Sequence, residues 1–363
     1  MITCLHEALA LRPLGHPLRS HSLNNLANAV STRFKQVGGM EDLEEAITCH
    51  CQALALFPHG HPDRSSSLDN LANAVSARFE QLGGMEDLEE AISFHRQALA
   101  LRPQGHPDRS YSLSNLASAL LTSFEQLGGM EDLEEVITCF HQALAMRPLG
   151  HPLHSNALNN LASAVSTRFK QLGKMEDLEE AITCYRQTLA LYPYGNPNRS
   201  YSLNNLATAV SIRFQQLGRM EDLEEAISFH RQALALQPLG HPGRSYSLNS
   251  LANTVSFRFK QLGGMEDLEE AITCHRQALA LQPHGHPHRS YSLHNLGDAV
   301  SIRFQQLGRM EDLEEAITCH CQALVLFPQG HPGRSSSLIY LANSLSTRFK
   351  LRGITEDLEE AVK

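Results

Sequence analysis

Twenty histidines and eight cysteines in a chain of 363 residues are the side chains whose types could do chemistry. Imidazoles serve as proton shuttles and metal ligands, and thiolates as nucleophiles. Their spacing decides between these roles and structural ones. His50, His95, His230, His275 and His320 recur at one register, which Phe140 and Tyr185 fill in two other copies. A position that accepts any flat ring reads as packing. His16, His61, His106, His151, His241, His286 and His331 each precede a proline, with Asn196 as the exception, which predicts a capping or turn role. "HGHPH" at 284–288 could chelate a metal weakly, but its outer histidines align with Gln, Leu, Asp or Gly elsewhere. Cys4, Cys49, Cys139, Cys184, Cys274 and Cys319 share a register with Phe94 and Phe229, whereas Cys51 and Cys321 share another with arginines and His141. Adjacent members of one register would lie about a helix pair apart, beyond the ~7 Å between Cα atoms that a disulfide tolerates. A Cys–His nucleophile pair needs one copy to differ from the rest, and Cys49–His50 simply recurs at 274–275 and 319–320. The sequence carries no Walker A motif, Gly-rich phosphate loop, zinc-ligand spacing or paired-carboxylate pocket. These patterns predict no enzyme, no cofactor and no metal site.

The remaining polar signal is asparagine. "LNNLANAV" at 23–30 has helical apolar spacing yet holds three asparagines, which weaken helices because the short amide competes for the backbone. One register reads Asn24, Asp69, Ser114, Asn159, Asn204, Asn249, His294. Beside it runs Asn25, Asn70, Asn115, Asn160, Asn205, Ser250, Asn295, and a third reads Asn28, Asn73, Ser118, Ser163, Thr208, Asn253, Asp298. With Leu26 at zero on a helical wheel, Leu23, Val30, Phe34 and Val37 cluster near 50 degrees, whereas His21, Asn24, Asn28, Ser31 and Lys35 cluster near 180 degrees. The asparagines thus oppose the apolar stripe. Each carboxamide offers two donors and an acceptor.

What positions these registers is a repeat. "MEDLEE" begins at Met40, Met85, Met130, Met175, Met220, Met265 and Met310, and "TEDLEE" at Thr355, always 45 residues apart. A fixed period of this size signals stacked units that bury each other's faces. Each unit reads as two helices. In one copy the first runs from about Ser65 to Leu82, with Leu68, Leu71, Val75, Phe79 and Leu82 as its stripe. Gly83, like Gly38, Gly128, Gly173, Gly218, Gly263, Gly308 and Gly353, predicts a left-handed C-terminal cap. The second helix starts near Met85 with Glu86, Asp87, Glu89 and Glu90 in its first turns, where acids suit the helix dipole. Leu88, Ala91, Ile92, His95, Ala98 and Leu99 form its stripe, and Pro103 ends it. Ser110, or the His-Pro before it, is expected to cap the next first helix. Arg33, Arg78, Arg168, Arg213, Arg258, Arg303 and Arg348 lie beside the first-helix stripe and are expected to pair with acids of a second helix, Ser123 being the missing member.

Ala91, Ala98, Leu99 and Pro103 fall at the spacing of the second helix of a tetratricopeptide repeat. "LNNLA" with a long loop containing "HPD" resembles the extended repeats of kinesin light chain, and the whole phrase is similar to arrays in large fungal proteins that accompany CHAT protease or NB-ARC-type ATPase domains. The resemblance spans the chain. It implies an all-α, right-handed α-solenoid, a superhelix of antiparallel helix pairs. The expected array is single and covers 1–363: a partial second helix over 1–13, helix pairs starting near 18, 63, 108, 153, 198, 243 and 288, and a partial last pair over 333–363. Opening and closing inside second helices predicts a segment of a longer protein.

In such arrays the first helices line the concave groove. The resemblance therefore implies a peptide groove built of Asn24, Asn25, Asn28, Asn70, Asn73, Asn115, Asn159, Asn160, Asn204, Asn205, Asn249, Asn253 and Asn295, with Tyr111, Tyr201, Tyr246 and Tyr291 as aromatic pockets one turn earlier. The expected function is a non-catalytic scaffold holding an extended peptide or partner protein. The alternatives are a regulatory or sensor segment of a larger CHAT or NB-ARC protein, and a structural spacer that self-associates through its ends. A net charge of -9 without any basic run argues against nucleic acid or anionic membrane as partner. No apolar run approaches the ~20 residues of a membrane span. The start "MITCLHEALALRP" lacks the features of a secretory signal, and the low cysteine density fits a reducing, cytoplasmic setting.

Overall fold

A computed structural model describes residues 1–357. Among them are sixteen α-helices and no strand. No described helix is long and apolar enough to cross a membrane. The chain divides into two units, Met1–Cys184 and Tyr185–Lys363. The first holds α1 (Ile2–Ala10), α2 (Arg19–Val37), α3 (Met40–Leu56), α4 (Arg64–Leu82), α5 (Met85–Ala100), α6 (Arg109–Leu127), α7 (Met130–Ala145), α8 (His154–Leu172) and the start of α9 (Met175–Leu191). The second holds the rest of α9, then α10 (Arg199–Leu217), α11 (Met220–Ala235), α12 (Arg244–Leu262), α13 (Met265–Ala280), α14 (Arg289–Leu307), α15 (Met310–Leu326) and α16 (Pro332–Arg352). Each unit is a solenoid stack in which a 19-residue first helix packs on the second helix of its own repeat and on that of the repeat before.

The pairing follows from the glycine step. Gly83 sits at φ 73° and its N–H donates to Phe79 O at 2.7 Å, ending α4 in the left-handed conformation that costs a side chain dearly. The other seven glycines of this register share the conformation. One extended residue follows and the second helix begins, so only two residues separate antiparallel partners.

Between repeats, the turn is held as the histidine register predicts. His106 Nδ1 accepts the Asp108 N–H at 3.1 Å, His331 Nδ1 accepts that of Gly333 at 2.9 Å, and Asn196 Oδ1 accepts that of Asn198 at 2.8 Å. Asparagine substitutes because its oxygen reaches the same donor. The serine alternative is not what occurs: Ser110 lies inside α6, and its hydroxyl accepts from Arg147 Nε at 3.3 Å.

The cores are small and regular. Leu68, Leu71, Ala72 and Val75 of α4 are buried, as are Leu88, Ala91, Ile92, His95 and Ala98 of α5. The expected stripe runs one turn too far: Leu82 is 64% and Val37 77% exposed, because the first helix outlasts the partner that covers it. The arginine register staples the pairs. Arg78 donates to both Asp87 oxygens, at 3.0 and 2.7 Å, and to Glu44 of the preceding second helix at 3.4 Å. Arg258 and Arg303 repeat the fork on Asp267 and Asp312. Bidentate guanidinium–carboxylate pairs fix orientation as well as contact. Where Ser123 replaces the arginine it still donates to Asp132, at 2.7 Å.

Candidate functional site

The three polar registers of the first helices have different fates. The first is consumed by contacts between repeats. Asn24 Oδ1 pairs with His50 Nδ1 at 3.1 Å, and Asn24 Nδ2 donates to Ser67 Oγ of the next repeat at 2.5 Å. Asn249 repeats this with His275 at 3.0 Å and Ser292 at 2.7 Å. Asn204 does so with His230 at 3.1 Å and with Ser247, and is 1% exposed. Since each amide spends its N–H on serine, the ring must donate Nδ1–H to the amide oxygen. Ser292 Oγ in turn donates to His288 O at 3.2 Å. A directed chain therefore runs from a second-helix histidine, through asparagine and serine, to a carbonyl of the next turn. In the third copy the ring is Phe140, and Ser114, in the asparagine register, turns back to Ser110 O at 3.0 Å.

In the second copy the same place holds charge. Asp69 accepts from His95 Nδ1 at 3.0 Å, Arg102 Nη1 at 2.5 Å and Ser112 Oγ at 2.8 Å, all of them buried. Arg102 also reaches Ser65 and Ser66, at 3.2 and 3.0 Å. This cluster resembles a catalytic relay in composition, yet it is closed and fully satisfied, so it serves as a structural clamp.

Four second-helix histidines are held in the neutral form. Burial holds His50, His230 and His275 down at about 4, and His320 too. Burial pushes the thiols of Cys139, Cys184 and Cys274 up to about 11 and Cys319 up to about 12, far from a reactive thiolate. None of the eight cysteines forms a disulfide among the described residues.

The second and third registers face outward between consecutive first helices. Asn28, Asn70 and Asn73 line one pocket of about 390 Å³ with Ser31, Lys35 and His50. Asn73 and Asn115 line another of about 370 Å³, with Lys35, Glu80 and Ser118. In the second unit Asn253 and Asn295 line a third of about 250 Å³, with Lys260 and Asp298. Asn295 Nδ2 donates to Asn253 Oδ1 at 3.1 Å across repeats, a rung in which the predicted ladder closes on itself. Asn25 and Asn160 are exposed, and Asn205 is half-buried. Asn159 occupies the first register and is likewise half-buried.

The tyrosines stand apart from these pockets. Tyr111, Tyr201, Tyr246 and Tyr291 are 43 to 48% exposed and sit at the turns. Arg147 lies 5.5 Å over the Tyr111 ring, and Tyr201 leans on His241 at 5.7 Å. Tyr291 packs edge-on to Phe327, its hydroxyl 2.8 Å from His331 Nε2. Each of these three rests on the following turn.

One more cluster of polar side chains lies outside the predicted registers' roles. His294 and Asp298 of α14 meet His320 of α15, their ligand-type atoms within 4.8 Å of one another. The available signal was "LHNLGDAV" at 293–300 against "LNNLANAV" at 23–30, three changes on one helix face. Burial pushes the Asp298 carboxyl up to about 7, against the pull of Lys260.

A family model of the tetratricopeptide repeat matches residues 20–63, 64–108 and 155–190. No curated protein matches the sequence. Among solved structures, nearly identical kinesin-light-chain-type TPR-like repeats of Podosopora anserina are 23% identical, over 60% of this chain and 98% of that one, with a TM-score of 0.44. A human IFIT1 dimer with PPP-AAAA is 15% identical, over 99% of this chain and 72% of that one, with a TM-score of 0.56, a likeness of fold.

Proposed function

We propose, from the premise that this chain carries tetratricopeptide repeats, that it is a non-catalytic interaction scaffold holding an extended peptide or a partner protein along its first helices. One observation carries the reading: the pockets between consecutive first helices are lined by carboxamides that the repeat junctions do not consume, chiefly Asn28, Asn70, Asn73 and Asn115. An extended backbone presents an unpaired N–H and C=O at every residue, and a row of amides answers both. Asn24, Asn204 and Asn249 contribute differently from their neighbours, by fixing the spacing of the row. Tyr111, Tyr201, Tyr246 and Tyr291 flank it as side-chain contacts at the turns.

The test is selection of peptides from a random display library on the full chain, followed by affinity measurement. Selected peptides should bind Asn70→Ala/Asn73→Ala/Asn115→Ala at least about tenfold more weakly, the worth of one or two hydrogen bonds. Arg96→Ala, on the second-helix face, should change nothing. Equal binding by wild type and triple variant overturns the proposal.

A further inference from the structure

The repeat at 288–332 breaks the pattern of its neighbours at one spot. Against residues 23–30 it has His294 for Asn, Gly297 for Ala and Asp298 for Asn. In the first copy the equivalent asparagine pairs with its histidine; here His320 is fully buried, and neither ring nitrogen has a hydrogen-bond partner. Its Nε2 points at Asp298 Oδ1 from 3.7 Å, and that oxygen is also buried without a partner. His294 Nε2 lies 3.7 Å from Asp298 Oδ2. These separations are too long for hydrogen bonds. They are close to the roughly 3.3 Å between neighbouring nitrogen and oxygen ligands on a tetrahedral zinc ion with bonds near 2 Å.

We propose that His294, Asp298 and His320 form a binding site for one divalent transition-metal ion of the zinc class. Positions 294 and 298 are one helical turn apart on α14 and so share a face, while His320 approaches from α15. His294 Nδ1 is engaged by Ser337 Oγ at 2.8 Å, which leaves Nε2 as the coordinating nitrogen, the orienting bond that metal-binding imidazoles usually have. Tyr340 stacks on His320 at 5.6 Å and holds its plane. Gly297 makes the room: a Cβ there would sit 2.7 Å from the His320 ring. Two imidazoles and a carboxylate favour zinc and its neighbours over calcium or magnesium. Asp298 also lines the 250 Å³ pocket, so its carboxylate is reached from solvent on that side.

Zinc chloride alone is titrated calorimetrically into the chelator-stripped full chain, with cobalt(II) absorption as a second readout of nitrogen and oxygen coordination. Wild type should bind one equivalent, and Asp298→Asn should bind at least about 100-fold more weakly, since even outer partners of a metal site are worth 10- to 100-fold. The triple substitution His294→Asn, Gly297→Ala, Asp298→Asn makes 293–300 read as 23–30 do, a sequence the fold already accommodates, and should abolish the site while keeping the helix content. His284→Gln/His288→Asp, in the turn, should bind as wild type does. Absence of stoichiometric binding to wild type, or binding unchanged by Asp298→Asn and by the triple substitution, overturns the assignment.

Discussion

At Asn204 the side-chain amide accepts from His230 and donates to Ser247, whereas Asn205, next in sequence, makes no side-chain hydrogen bond among the described residues. Replacing Asn204 by alanine strands two buried partners, and the expected loss is about 1–3 kcal/mol. Asn205→Ala should cost less than about 0.5 kcal/mol. Urea midpoints followed by circular dichroism distinguish the two, and equal midpoints would refute the junction role. The sequence could not separate them because a helical wheel registers one neighbour only. Asn24 lies opposite the apolar stripe, yet the next first helix closes over that side through Ser67, so polarity there reports a second interface. The turn histidines were legible by contrast, because Asn196 in their register named the one property, an acceptor at the right reach, that both residues share.

At the scale of the element, the boundaries were written in glycine and proline and needed no tertiary knowledge. Gly83 ends α4 where its register predicts, and α5 stops at Ala100 ahead of Pro103. What composition could not convey is how far a neighbour covers a helix, hence the exposed Val37 and Leu82. Small residues such as Ala98 are fully buried where the helices meet. Ala98→Phe should force α5 from its neighbours and cost about 1–3 kcal/mol, or more if the stack separates. A broadened or biphasic urea transition would mark the separation, since repeat arrays lose cooperativity at weakened junctions. An unchanged transition would mean that the junction tolerates the extra volume.

Over the whole chain, the junction histidines sum to a pH dependence. An imidazole held at about 4 in the folded state and near 6.5 when unfolded takes up its proton first in the unfolded chain. Stability is therefore complete above about pH 6.5 and falls as pH drops from there toward 4, by up to about 1.4 kcal/mol per pH unit for each such histidine. Three of them, His50, His230 and His275, make the decline steep, and His320, held down to the same value, adds to it. His230→Phe with Asn204→Ser, the pairing that Phe140 and Ser114 already display, should flatten it by about one histidine's share. Urea titrations at pH 7, 5.5 and 4.5 provide the measure, and a slope identical in the two proteins would contradict the assignment.

In the copies of Asn24, Asn204 and Asn249 the hydrogen bonds from histidine through asparagine to serine all point toward the next repeat. A copy bearing all three residues is thus a plug at one end and a socket at the other. Any such copy can follow any other in the same orientation without a new interface having to be invented. Unequal crossing-over between near-identical 45-residue segments would then yield chains of altered length whose seams are already matched. The array can grow or shrink in whole units, and each change would add or remove a pocket between first helices while leaving the rest intact.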